Sequence, residues 1–191
     1  MRYLLITLLS IFMLGCLPDS DNPLTDPVKE RLDRSIIGTW FWNEDNESGF
    51  IHIGLDEKMK LLRVVMVDID RNNEIDISEF TGHTSQLAGN RYLNLKWERP
   101  KHDENPGYFF VKYKLKQDAL GIAIISSEAV RKAIADGGLK GDARMEERFT
   151  APHISEQQKK LQEFILRKDA VIFPEMKYLR RLILPGGVNQ K

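Results

Sequence analysis

The chain has 191 residues, of which 42% are hydrophobic and 29% are charged, a composition typical of one globular domain. Its 28 Lys and Arg residues balance its 28 Asp and Glu residues, so the formal net charge is zero. This balance argues against a nucleic-acid-binding protein, which needs a basic face.

Residues 1–15 predict a secretory signal peptide. Arg2 precedes an apolar run over 3–14, and a short charged region followed by a short apolar region is typical of such a signal. The run is shorter than the ~20 apolar residues that span a bilayer comfortably. The alternative interpretation is a membrane anchor helix that is not cleaved.

Cys16 is the only cysteine, and the segment 13–16 (MLGC) resembles the lipobox of bacterial lipoproteins. Met13 and Leu14 depart from the pattern, which prefers Leu at the first place and a small residue at the second. The resemblance implies cleavage before Cys16 and acyl chains on its sulfur and new amino group, which together anchor a protein stably in a membrane. Leu17, in place of an Asp, favours the outer membrane of a bacterial envelope. The alternative for a lone cysteine is a buried free thiol.

Residues 16–27 are predicted to be the lipidated cysteine and a solvated tether. The segment 17–27 (LPDSDNPLTDP) is rich in proline and aspartate, so we expect it to bury nothing. Pro27 suits the first turn of a helix, with Thr25 or Asp26 as its cap. One or two helical turns are therefore expected before Ile36.

The middle of the chain has the period of β-strands. Apolar and polar residues alternate between polar turns, a pattern that predicts an antiparallel meander. In 92–97, for example, Leu93 and Leu95 alternate with Asn94 and Lys96. The predicted strands cover 36–42, 49–55, 61–69, 92–97, 108–116 and 120–125.

The last third mixes helices and strands. Apolar spacing predicts helices over 127–136 and 155–168, the second with a capping box of Ser155 and Gln158. Strands are predicted over 145–151 and 177–184. The chain thus contains roughly nine predicted strands, a short leading helix and two late helices.

So many antiparallel strands favour closure, because an open sheet leaves two edges unpaired. Gly38-Thr39-Trp40 resembles the G-x-W signature of lipocalins, and the late order of strand, helix and strand is similar to the end of that family. The resemblance implies an eight-stranded up-and-down β-barrel with an apolar cavity over 28–191. It also implies a late arginine packed on Trp40, either Arg148 or Arg144. The T-D-Y turn motif is absent, and the helix at 127–136 is a departure. The layout as a whole is similar to uncharacterised lipocalin-like bacterial lipoproteins.

A barrel of this size either holds one ligand or is packed solid, and both need apolar inward faces. The residues predicted to line a ligand cavity, or else to form a solid core, are Trp40, Trp42, Ile51, Ile53, Leu93, Leu95, Phe109, Val111 and Tyr113.

Residues 68–79 (DIDRNNEIDISE) match the ligand positions of an EF-hand calcium loop. The candidate metal ligands are Asp68, Asp70, Asn72, Glu74, Asp76 and Glu79. Asn73 replaces the loop's usual glycine, and the β-branched run before the loop and the glycines after it favour strands over helices.

We therefore predict a strand, a tight turn and a second strand. Pairing Ile69 with Ile75 and Val67 with Ile77 places the apolar residues on one face and Asp68 opposite Asp76. The open alternatives are a solvated acidic turn and a calcium site without EF-hand helices.

No nucleophile elbow, zinc-protease helix or phosphate-binding loop occurs, and the four histidines are not spaced as metal ligands. We therefore expect no enzyme, and no cofactor apart from the calcium alternative. Two hypotheses remain for a lipid-anchored envelope protein. One is a carrier of a lipid or another apolar molecule. The other is a structural or protein-interaction module with a packed barrel, whose natural contact is the loop 99–107.

Overall fold

The computed structural model describes residues 17–44, 47–98, 107–143 and 151–183, with the side chains of Glu44 and Glu47 excluded. The predicted signal peptide, Cys16, Arg144 and Arg148 lie outside these residues. So do almost all of the predicted strand 145–151 and of the loop 99–107.

The described residues form eleven strands, two α-helices and one 3-10 turn. The strands are β1 (Asp19–Ser20), β2 (Gly38–Glu44), β3 (Glu47–Asp56), β4 (Leu61–Ile69), β5 (Ile75–Leu87), β6 (Asn90–Trp97), β7 (Phe109–Lys116), β8 (Ala119–Ile124), β9 (Gly141–Asp142), β10 (His153–Ile154) and β11 (Lys177–Arg181). The helices are α1 (Ser127–Ala135) and α2 (Gln158–Ile172), and the 3-10 turn is Arg34–Ile36.

Eight strands close into an antiparallel barrel in the order β11-β2-β3-β4-β5-β6-β7-β8. The prediction of a mainly β, closed antiparallel barrel is confirmed. β11 completes the barrel by pairing Leu179 with Leu120 of β8 and Arg181 with Trp40 of β2. Strands β2, β4, β6 and β8 end at the same end of the barrel, which we call the mouth. The connections β3–β4, β5–β6 and β7–β8 lie at the opposite end, which we call the base.

The period of two places every second side chain inside the barrel. In β4, Leu62, Val64 and Met66 face inward and are at most 6% exposed. They pack with inward residues of the other strands, including Trp40 and Phe80, into one core. The predicted inward faces of β6 and β7 are confirmed.

The two helices cover one side of the barrel, across β6, β7 and β8. Tyr92 and Phe110 point outward from their strands and are still fully buried, because Phe164 and other apolar residues of α2 pack over that side. Asp169 of α2 accepts a hydrogen bond from the Tyr92 hydroxyl at 2.7 Å and pairs with Lys112. Of the described helices, neither α1 nor α2 packs over the outer face of β2, β3 and β4.

The predicted hairpin at 68–80 is confirmed, including its register. Ile69 pairs with Ile75 and Asp68 with Asp76. The Asp70 N–H donates to the Glu74 carbonyl at 3.0 Å, which closes the turn. Asn73 adopts φ +61°, the left-handed conformation that asparagine tolerates better than most residues.

The two predicted late helices are confirmed as α1 and α2, whereas the leading helix and the capping box of the second late helix are wrong. In place of the predicted one or two helical turns before Ile36, the described residues form a single 3-10 turn, Arg34–Ile36, because the preceding Asp33 N–H bonds the Thr84 hydroxyl of β5 at 2.9 Å. Helix α2 begins at Gln158 without the capping box. The Ser155 N–H instead donates to the Lys140 carbonyl at 3.0 Å, which extends the small sheet of β9 and β10.

The prediction that residues 17–27 form a solvated tether is also wrong. This segment, which we call the strap, runs along the outside of the barrel from mouth to base. β1 pairs in parallel with β10, and Ser20 pairs with Tyr108. Leu24 is fully buried under α2. The strap therefore belongs to the folded domain.

Candidate functional site

The base of the barrel is closed around Trp40. Its indole Nε1 donates to the Ile36 carbonyl at 2.8 Å, which ties β2 to the 3-10 turn. The guanidinium carbon of Arg181 lies 4.4 Å from the centroid of the Trp40 ring, and Nη2 donates to the Ser35 carbonyl at 3.0 Å. The arginine on Trp40 therefore comes from the last barrel strand, a position that sequence reasoning did not name.

The predicted cavity-lining residues all lie on the inner faces of their strands. A void of about 50 Å³ remains among them. The predicted residues that line it are Ile51, Ile53, Leu93, Leu95, Phe109 and Val111. Trp40 and Trp42 pack in the same core, and Tyr113 faces the base. Small-molecule sites generally enclose ~300–1,000 Å³, so this void is far below the usual size.

Aromatic side chains fill much of the interior near the mouth. Phe80 packs against Trp97 with ring centroids 4.5 Å apart and against Phe109 at 5.2 Å. Leu17, the first described residue, lines the same void together with Ile124 at the end of β8. The strap therefore begins at the mouth of the barrel, where the Leu17 side chain lies.

A larger cleft of about 1070 Å³ lies at the base, between residues 27–34 and the β3–β4 connection. Asp33 is central to it and is bonded to Arg91 at 3.1 Å and to the Tyr113 hydroxyl at 3.0 Å. Burial works to raise the pKa of Asp33, but hydrogen bonds from Ser35 and Tyr113 and the charge of Arg91 hold that pKa below its usual value. Arg34 pairs with Glu57 at 3.3 Å, so much of the charge lining this cleft is already paired.

A buried polar network fastens the strap to the outer face of β5 and β6. Asn94, fully buried, accepts the Leu24 N–H at 2.7 Å and donates to the Ser85 hydroxyl at 2.7 Å. Ser85 also bonds the Thr25 hydroxyl at 2.5 Å. His83 Nε2 bonds the Thr25 carbonyl at 2.9 Å, and because a carbonyl only accepts, Nε2 carries the proton.

Sequence reasoning missed this network. The predicted outward position of Asn94 is confirmed. Outward polar residues normally face water, and the alternation of apolar and polar residues along a strand does not reveal that a distant segment covers them. The only signal was the run of polar side chains at 83–85, of which His83 pairs directly with Asn94.

A second set of bonds holds the strap at the mouth. His153 lies between two strap carboxylates, with Nδ1 2.9 Å from Asp19 and Nε2 3.1 Å from Asp21. Asp19 also accepts the Gly107 N–H at 3.0 Å. A Cβ atom on residue 107 would lie 2.5 Å from the Ser20 carbonyl oxygen, so only glycine permits this close approach.

The candidate metal ligands of the hairpin are not gathered at one point. The Asp70 carboxylate accepts the backbone N–H groups of Asn72 at 2.7 Å and Glu74 at 2.9 Å. Glu79 lies further along β5 and pairs with Arg63 at 3.8 Å. Within the described part of the chain, no three His, Cys, Asp or Glu side chains are close enough together to hold a metal ion. Calcium binding by this turn stays a prediction.

No helix in the described ranges is long and apolar enough to cross a bilayer. Comparison of the chain with protein-family models, with curated proteins and with solved structures finds no match.

Proposed function

We propose that this chain is a lipid-anchored envelope protein with a lipocalin-like barrel that acts through its surface, as a protein-interaction module. Three features support the proposal: the lipobox-like segment that ends at Cys16, the closed barrel and its small internal void. The stacking of Arg181 on Trp40 of the G-x-W segment supports the lipocalin-like assignment.

The observation that carries the proposal is the filling of the barrel. A void of about 50 Å³ has no room for an acyl chain, since small-molecule sites generally enclose ~300–1,000 Å³. The side chains that fill the interior are large: Trp40, Phe80 and Phe109 are each at most 5% exposed. An interior packed this way stabilises the barrel and leaves recognition to its outer surface and loops.

Carriage of an apolar molecule is the second candidate function. The wall of the void consists wholly of apolar side chains, and Leu17 at the mouth is only partly buried. Movement of Leu17 away from the mouth would lengthen the void toward solvent. A ligand bound there would be apolar along most of its length.

A titration of residues 17–191 with a fluorescent fatty acid separates the two functions. We expect no saturable binding, because the interior is already filled. Saturable binding that is lost in Ile51→Phe would place the ligand inside the barrel and overturn the proposal, because the larger ring narrows the void. Binding that persists in Ile51→Phe would place the probe on the outer surface and leave the packed barrel intact.

A further inference from the structure

The strap leaves no slack between the predicted anchor residue and the barrel. Asp19 N–H donates to the Pro152 carbonyl at 3.3 Å, and the Ser20 carbonyl accepts the Tyr108 N–H at 2.7 Å. Ser20 is fully buried. Leu17 precedes these fixed residues by two positions and lines the internal void at the mouth. The described chain therefore begins at the mouth, one residue after the proposed acylation site.

The two ends of the barrel are far enough apart to be distinguished. β4 runs from base to mouth over 9 residues. A strand rises ~3.3 Å per residue, and the strand tilt of a barrel reduces the height, so the base lies roughly 20 Å from the mouth. Met59, at the β3–β4 connection, marks the base, and Ile75, at the start of β5, marks the mouth.

The outer face near the mouth is apolar on the side that the helices leave uncovered. Phe41, Phe50, Val67 and Ile77 form one row across β2, β3, β4 and β5 by direct strand pairing. Phe50 is 36% exposed and Ile77 59%, and Ile75 beside them is 64% exposed. We call Phe50, Ile75 and Ile77 the mouth patch. Apolar side chains that are exposed next to one another form a candidate interaction surface, whereas apolar side chains exposed singly are ordinary.

We propose that the mouth of the barrel faces the bilayer and that the mouth patch rests against the lipid surface. This orientation depends on the acylation of Cys16 that the proposed function includes, because the acyl chains pull the strap, and with it the mouth, to the membrane. The Asp70 carboxylate at the hairpin tip already accepts backbone N–H groups and stays in the hydrated headgroup region. The contact is therefore shallow. Protein partners then meet the base and the helix-covered side.

The test uses the full-length acylated protein in phosphatidylethanolamine–phosphatidylglycerol vesicles that contain nitroxide-labelled lipid. Single fluorescent labels are attached in Ile75→Cys and, as a matched control, in Met59→Cys. The two native side chains are 64% and 62% exposed, so neither substitution disturbs the core. We expect the label at 75 to be quenched several-fold more strongly than the label at 59. Equal quenching, or stronger quenching at 59, would overturn the orientation.

Two further measurements separate this inference from the proposed function. The intact mass of each labelled protein reports acylation directly. A mass without acyl groups would contradict the proposed lipid anchor at Cys16 and, with it, the proposed orientation. A flexible Gly-Ser insertion of about 20 residues between Cys16 and Leu17, with a mean span of roughly 25 Å, releases the barrel from the anchor. With acylation intact, we expect the difference between the labels to shrink. An unchanged difference would show that the strap does not set the orientation.

Discussion

Arg181 connects three parts of the chain at the base of the barrel. It belongs to the last barrel strand, stacks on Trp40 of the first, and donates to the carbonyl of Ser35 in the 3-10 turn. A guanidinium can do all three at once, because it is planar and carries several donors in a fixed geometry. Arg181 therefore links β2, β11 and the 3-10 turn at the base.

Replacing Arg181 with Met keeps the apolar stem and removes both the cation–π contact and the hydrogen bond. We expect the free energy of unfolding to fall by about 1–3 kcal/mol, measured by urea denaturation. Arg180→Met is the matched control, because Arg180 is exposed and faces outward, and its effect should stay within about 0.5 kcal/mol. Equal effects of the two substitutions would contradict the role given to Arg181.

Asn94 holds the strap to the barrel through a side chain with no exposure to water. Asn94→Ala leaves the Leu24 N–H without its acceptor, so we expect a loss of about 2–3 kcal/mol in unfolding free energy. Limited proteolysis should also cut within residues 17–27 sooner than in the wild type. Gln86→Ala, at an exposed position of β5, should change neither result. Unchanged proteolysis of the Asn94 variant would mean that other bonds fix the strap.

His83 makes stability depend on pH. Burial lowers its pKa from the usual 6.5, and this effect outweighs the hydrogen bond to Thr25 and the charge of Asp26. The unfolded chain therefore binds a proton at a higher pH than the folded chain. The contribution of His83 to the free energy of unfolding is fully present above pH 6.5. It is lost as the pH falls from there toward the lowered pKa.

The measurement is urea denaturation at several pH values between about 5 and 8, the range in which histidine changes charge. His83→Gln should have a shallower dependence on pH, because glutamine can still donate to the Thr25 carbonyl and does not titrate. His52→Gln, at an exposed position, should retain the slope of the wild type. An identical slope in all three proteins would contradict the assignment to His83.

Among the elements, the β4–β5 hairpin was the most predictable. Its register followed from alternation, and its turn followed from Asn72-Asn73, because both signals are local in sequence. The strap and the start of α2 were not predictable, because the residues that fix them are distant in sequence. The partners of Leu24 and Asn22 lie 70 and 134 residues away, so nothing in the local composition indicates burial.

The turn itself gives a test at the level of this element. Asn73 has φ +61°, so Asn73→Val forces a β-branched residue into the left-handed region at a cost of about 1–2 kcal/mol. Asn72→Val, one residue earlier and outside that region, should cost less. The comparison is made by thermal or urea denaturation. A larger loss for the Asn72 variant would contradict the turn geometry.

For the whole molecule, the alternation of apolar residues predicted an antiparallel meander, the number of strands favoured closure, and the resemblance to lipocalins implied the barrel. The base cleft and the strap were found only in the fold. The inward faces of β6 and β7 were assigned correctly from residues such as Leu93 and Val111. Whether those residues surround a ligand cannot be read from the same pattern, because a packed core and a cavity wall have identical periodicity. The difference depends on side-chain volumes across the barrel, such as Phe80 against Trp97.

Native mass spectrometry of residues 17–191, purified from the producing cell without added ligand and sprayed before and after EDTA, tests the packed barrel most directly. We predict the bare polypeptide mass in both spectra. A lipid-sized adduct would contradict the packed interior and establish a carrier. A metal adduct that EDTA removes would leave the interior unchanged and would support the calcium alternative for the turn at 68–79.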